Sequence, residues 1–121
     1  MKPIFVVDDN QDTLFVVDSI LSKEGYDVEC FHDWQELYEQ LNYFSPSLIL
    51  MDVYLGHADG RYIAAQLKGN KNTMNIPIIL FSSDKHIAET SIEVFLPKPF
   101  TANNLINNIK NIIGSPNNLK D

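Results

Sequence analysis

Hydrophobic positions along this chain follow two periods. Ile4–Val7 is an unbroken apolar run rich in β-branched residues, and residues 76–81 form another. Runs of that length, bounded by polar residues, read as strands buried on both faces of a parallel sheet. Residues 48–51, with Ser47 in front, read the same way and end at Asp52. Residues 26–31 alternate Tyr, Val and Cys against Asp and Glu, a strand with one wetter face. Residues 94–96 make a short fifth strand before Pro97-Lys98-Pro99. Between these runs the spacing turns helical. The stripes are Leu14, Phe15, Val17, Ile20 and Leu21; then Trp34, Leu37, Tyr38 and Leu41; then Tyr62, Ile63, Ala65, Gln66 and Leu67. Leu105, Ile106, Ile109, Ile112 and Ile113 form the last stripe, with Thr101 as its N-cap and the intervening asparagines as its solvated face. Gly25 suits a helix stop, Pro46 closes a connection, and residues 69–75 are turn-forming. Residues 84–91 have room for only a short helix.

Strand and helix therefore alternate five times. The expected fold is α/β, a single-domain, doubly wound five-stranded parallel sheet with helices on both faces. No linker or repeat divides the 121 residues, which fit one domain over 1–121, with a core at about 3–113 and a polar tail at 114–121.

Charge narrows the partners. Nine basic against 16 acidic residues leave a net charge of −7, which argues against direct nucleic-acid binding. The apolar start is too short for a signal peptide or a membrane span, so no membrane insertion and a cytoplasmic location are expected. Cys30 is the single cysteine, so no internal disulfide is possible; it reads as a small strand residue. His32, His57 and His86 are spread over three loops and form no zinc pattern. Trp34 reads as core.

The chemistry lies at the strand ends, where open α/β sheets place their sites. The first strand ends in Asp8-Asp9, the third in Asp52, the fourth in Ser82, and the fifth runs into Lys98. Two unit charges 4 Å apart repel by about 4 kcal/mol at an effective dielectric of 20. Three carboxylates therefore need a cation, and Mg2+ suits carboxylates, waters and phosphoryl oxygens. Lys98 and Ser82 would hold phosphoryl oxygens, and Asp52 would be the nucleophile.

These motifs resemble the response-regulator receiver domain of two-component signalling. They are a hydrophobic strand ending in Asp8-Asp9, then LILMD with Gly60 eight residues on, then IPIILFSS, then Lys98-Pro99-Phe100. The resemblance implies a flavodoxin-like strand order 2-1-3-4-5. It implies Asp52 as phosphoacceptor, and Mg2+ held by Asp8, Asp9, Asp52 and the backbone carbonyl of Tyr54. Ser82 would be the switch hydroxyl, Lys98 the phosphate contact with a cis bond to Pro99, and Phe95 the switch aromatic. The implied partners are a sensor histidine kinase or phosphotransfer protein and an output protein. The implied chemistry is self-phosphorylation from a phosphodonor and autodephosphorylation.

Several positions depart from the family pattern. Gly56 stands where proline is usual, which predicts a freer loop. Ser83 replaces a small alanine, and Phe95 lacks the hydroxyl of the commoner tyrosine. Ser82 and Lys98 are 16 positions apart, about six fewer than the pattern and so more than one and a half helical turns short. A shortened fourth helix is expected. Tyr54 and Asp84, each two positions past a site residue, are candidates for tuning phosphate lifetime.

Other classes fit less well. A phosphatase of this type would carry a second Asp where Tyr54 stands. A flavin module would have a Ser/Thr/Gly-rich loop in place of the acidic stretch from Asp8 to Asp12. A receiver module cut from a larger regulator or hybrid kinase, or a phosphorylation-independent scaffold, are the alternatives to a free-standing switch.

Overall fold

The computed structural model describes residues 2–83 and 94–116. In chain order the elements are β1 (Ile4–Val7), α1 (Gln11–Glu24), β2 (Val28–Phe31), α2 (Trp34–Leu41), β3 (Leu48–Asp52), β4 (Tyr54–Leu55), β5 (Ala58–Asp59), α3 (Gly60–Lys68), β6 (Ile78–Ser82), β7 (Val94–Pro97) and α4 (Ala102–Ile113). Five strands form one parallel sheet in the order β2-β1-β3-β6-β7. Counting those five alone, this is the expected 2-1-3-4-5. The shortened fourth helix, Asp84 and His86 lie outside the described residues, as does the end of the tail.

The unbroken apolar runs have a simple cause. Successive strand residues point to opposite faces, and both faces are covered. Phe5 and Val7 join Leu37, Ile49, Met51, Ile63, Leu67 and Leu80 in one core under α2 and α3. Ile4 and Val6 join Leu14, Val17, Leu21, Leu50, Phe81, Leu105 and Ile109 in the other, under α1 and α4. Each helix starts on a side chain that accepts from a free backbone N–H of the first turn. Asn10, Asp33, Asp59 and Thr101 do this for α1 to α4 in turn. Gly25, at φ 107°, ends α1 in the left-handed conformation.

Two stripes differ from expectation. In α1 the buried residues are Leu14, Val17 and Leu21, while Phe15 is 73% exposed. One residue further on is about 100° round the helix, and that carries Phe15 off the core. In α3 the buried set is Gly60, Ile63, Ala64 and Leu67; Tyr62, Ala65 and Gln66 face outward. Tyr62 and Gln66 join a polar chain instead, with the Tyr38 hydroxyl donating to Gln66 Oε1 and Gln66 Nε2 donating to the Tyr62 hydroxyl. Trp34 is only partly buried, packed edge-on against Tyr38. The tail expected from Gly114 is tied at its first residue, whose carbonyl accepts from the Tyr26 hydroxyl at 2.8 Å. Among the described residues, no helix is long and apolar enough to cross a membrane.

The stretch after Asp52, expected as a plain loop, contains a small hairpin. β4 and β5 pair antiparallel, Tyr54 with Asp59 and Leu55 with Ala58, around Gly56-His57. Gly56 has φ 63°, and among the described residues only glycines have positive φ. A two-residue connection with glycine first in this conformation is the type II′ pattern. Proline cannot adopt it. The hairpin then turns back so closely that the Gly60 N–H donates to the Val53 carbonyl at 2.6 Å. A Cβ on Gly60 would overlap the backbone carbonyl of Asp52.

Gly60→Ala is expected to cost about 1–3 kcal/mol, the usual range for forcing atoms into a packed site. Urea unfolding checks this, and a change under 0.5 kcal/mol, the scale of an ordinary surface substitution, would show that the backbone at Asp52 yields freely.

Candidate functional site

The sheet order puts β1 beside β3, so Asp8, just past the end of β1, and Asp52, the last residue of β3, become neighbours. Asp8 is fully buried and Asp52 is 7% exposed. Lys98 follows β7, and β6 stands between it and β3. The lysine stem has to cross β6 to reach the carboxylates. Its ammonium passes over the Phe81 ring, 4.7 Å from the centroid. Lys98 Nζ then donates to Asp52 Oδ2 at 2.8 Å and to Asp8 Oδ2 at 3.1 Å. One cation thus bridges two buried anions.

The other carboxylate oxygens meet backbone amides. Asp8 Oδ1 accepts from Asn10 N at 2.8 Å. Asp52 Oδ1 accepts from Tyr54 N at 2.9 Å. Asp9 is exposed and turns outward, with Oδ2 accepting from Gly56 N at 3.0 Å. Ser82 is buried at the end of β6, and its carbonyl accepts from Lys98 N at 2.8 Å, which sets where the lysine leaves the sheet. The Lys98–Pro99 bond is cis. Phe95 pairs with Leu80 in register and packs, partly buried, against the core under α3. Tyr54 lies at the rim, 51% exposed, and Ser83 is exposed.

The site is therefore built by Asp8, Asp52 and Lys98, flanked by Ser82, Tyr54 and Asp9. Burial pushes the Asp8 carboxyl up from 3.8 to about 6, helped by the charge of Asp52 and opposed by the Asn10 amide and by Lys98. For Lys98, burial acts to lower the ammonium. The hydrogen bonds and charges of Asp52 and Asp8 outweigh it and raise the value above that of an ordinary lysine. The raised Asp8 value thus reflects first its burial and second the nearby charge of Asp52.

All side-chain oxygens around the pair are hard donors, which suits magnesium rather than zinc or copper. In this arrangement Asp9 is turned to the hairpin, and among the described residues no three acidic, histidine or cysteine side chains gather into a cluster able to hold a metal ion. A cation at Asp8 and Asp52 is compatible with these donors provided Asp9 turns an oxygen inward. His32 and His57 are exposed. Burial, followed by the charges of Asp18 and Glu29, pushes the Cys30 thiol up to about 11, so it stays protonated.

Sequence reasoning missed three contributors. Asn10 both caps α1 and fixes Asp8, and the N-cap preference for asparagine could have found it. The Phe81 ring under Lys98 and the Gly56 N–H on Asp9 leave no local sequence signal, because both arise where separate segments meet.

A five-stranded parallel sheet with two aspartates and a lysine converging at its carboxyl edge is the arrangement expected of a receiver domain. The sequence matches the family described as "Response regulator receiver domain" over residues 4–110, so the chain belongs to that family. Solved structures agree on the fold. The receiver domain of the sensor histidine kinase PA1611 from Pseudomonas aeruginosa PAO1, which has a magnesium ion coordinated in its active-site cleft, superimposes with a TM-score of 0.84 at 24% identity, covering 94% of this chain and 98% of that one. The chemotaxis response regulator CheY4 of Vibrio cholerae gives 0.83 at 19% identity, covering 93% and 98%. The receiver domain of NtrX from Brucella abortus gives 0.83 at 27% identity, covering 91% and 97%.

The raised Asp8 value predicts a pH dependence. A folded value of about 6 against 3.8 unfolded means that the native state holds the proton more tightly. That stabilisation is complete below 3.8 and is lost as pH rises through about 6. In chelator-treated buffer, wild-type stability should therefore fall relative to Asp8→Asn across this window. Urea unfolding at a series of pH values checks it, and parallel pH slopes for the two proteins would count against it.

Proposed function

We propose that this receiver is a phospho-accepting switch in which Asp52 takes a phosphoryl group from a histidine kinase or phosphotransfer protein. The observation that carries this reading is the Lys98 ammonium bridging Asp52 and Asp8 in a half-enclosed site at the strand ends. Asp52 Oδ2 is the attacking atom, the one nearest Lys98 Nζ. In the transfer an O–P bond forms at Asp52 as the N–P bond of a phosphohistidine breaks, and the departing imidazole nitrogen takes up a proton from solvent water. Asp52 Oδ1 stays on the Tyr54 amide, which fixes the carboxylate plane for in-line attack. Lys98 then moves its contact from the carboxylate to a phosphoryl oxygen, where it offsets the added charge.

Asp8, Asp9, Asp52 and the Tyr54 carbonyl are the groups that would hold magnesium. When bound, the metal neutralises charge on the phosphoryl oxygens. The Ser82 hydroxyl closes on the phosphoryl group, and Phe95 repacks against the core. Phosphorylation then shifts an existing equilibrium between two conformations, which an output protein reads by contact. Water later hydrolyses the acyl phosphate.

Incubation with a small acyl-phosphate donor and magnesium should add one phosphoryl group, read by intact mass. Asp52→Asn and an excess of chelator should each abolish the adduct. An adduct that survives Asp52→Asn would remove Asp52 from its role, and no adduct in the wild type would leave a scaffold in place of a switch.

A further inference from the structure

The turn of Asp9 away from the Asp8–Asp52 pair has a specific holder. Asp9 Oδ2 accepts from the backbone N–H of Gly56 at 3.0 Å. That N–H sits at the tip of the β4–β5 hairpin, and the positive φ of Gly56 sets the tip. The rest of the hairpin has its own anchors. Leu55 is buried in the core, Ala58 packs against it, and Asp59 caps α3 while pairing with Arg61. The tip residues Gly56 and His57 are exposed, and a Cβ on Gly56 would meet nothing within 4 Å. Among the contacts described here, the amide of Gly56 is what ties the tip to the body of the domain.

We propose that the Gly56 N–H is a latch on Asp9 that competes with a divalent cation for this carboxylate, so that metal occupancy and the hairpin tip are coupled. The inference rests on the phospho-accepting reading of the site. A carboxylate that accepts from an amide has less negative charge to offer a metal. As placed, the three carboxylates do not gather into a group able to hold a metal, so for Asp9 to join Asp8 and Asp52 around a cation its carboxylate must swing toward them, and that swing draws Oδ2 off the Gly56 N–H. By reciprocity, whatever loosens the tip favours the cation, and the cation frees the tip. Gly56 is thus a positioning residue acting through Asp9, not a ligand.

The test uses the whole chain, titrated with magnesium chloride and followed by amide NMR. The Gly56 amide should shift and lose protection from hydrogen exchange as the cation saturates, while the Leu55 amide keeps its protection. Gly56→Pro, which lacks the N–H and cannot hold the φ 63° turn, releases Asp9 on both counts and should bind magnesium at least about two- to tenfold more tightly, the range one hydrogen bond supplies. Gly56→Ala keeps the N–H and should fall between the two. Shifts at Asp8, Asp9 and Asp52 without any change in Gly56 protection overturn the latch alone. Absence of any magnesium response at those aspartates overturns both the latch and the metal site. Weaker magnesium binding by a folded Gly56→Pro also overturns the latch. If Gly56→Pro does not fold, the wild-type exchange measurement decides by itself.

Discussion

The Lys98 ammonium between Asp8 and Asp52 lets two carboxylates stand side by side in a mostly buried place. At 4 Å such a pair repels by several kcal/mol at a protein-like dielectric, and burial adds a desolvation cost to each. The raised value of Asp8 shows that the balance is incomplete even with Lys98 in contact. The fold thus holds a locally unfavourable arrangement, kept in place by two apolar cores that continue up to the strand ends. A site built this way responds strongly to any further charge.

The geometry of the sheet decides which residues can take part. Parallel strands with adjacent ends bring Asp8 and Asp52 together directly. Lys98 comes from two strands away from β3 and reaches them only because its side chain is long and crosses the Phe81 ring. Its start is set by the Lys98 N–H on the Ser82 carbonyl. The stretch after Asp52 is equally constrained. Gly60 lies against the Asp52 carbonyl where no side chain fits, and Gly56 presents its amide to Asp9 in a conformation closed to proline. The expectation of a freer loop followed from glycine replacing proline. The structure shows that this loop is a short hairpin, because the φ freedom of Gly56 lets it form a tight turn.

The order 2-1-3-4-5 is what makes Asp8 and Asp52 neighbours, and solved receiver domains superimpose on the same fold. Tyr54, whose amide holds Asp52, keeps its side chain half exposed at the rim of the site.

The sequence alone determined the alternation of strands and helices, the two-sided burial of the central strands, and the presence of acids and a lysine at strand ends. These are legible because they follow from local periodicity and from burial on one face or two. It did not determine which stripe residues would be buried, as Phe15, Tyr62 and Gln66 show, because neighbouring helix positions differ by a rotation that only packing resolves. It did not reveal the hairpin, whose strands are too short for a period to register. Tertiary structure alone decided that Lys98 bridges Asp8 and Asp52 while Asp9 turns to Gly56. Those contacts join residues far apart in the chain, and their geometry is set by the stacking of strands.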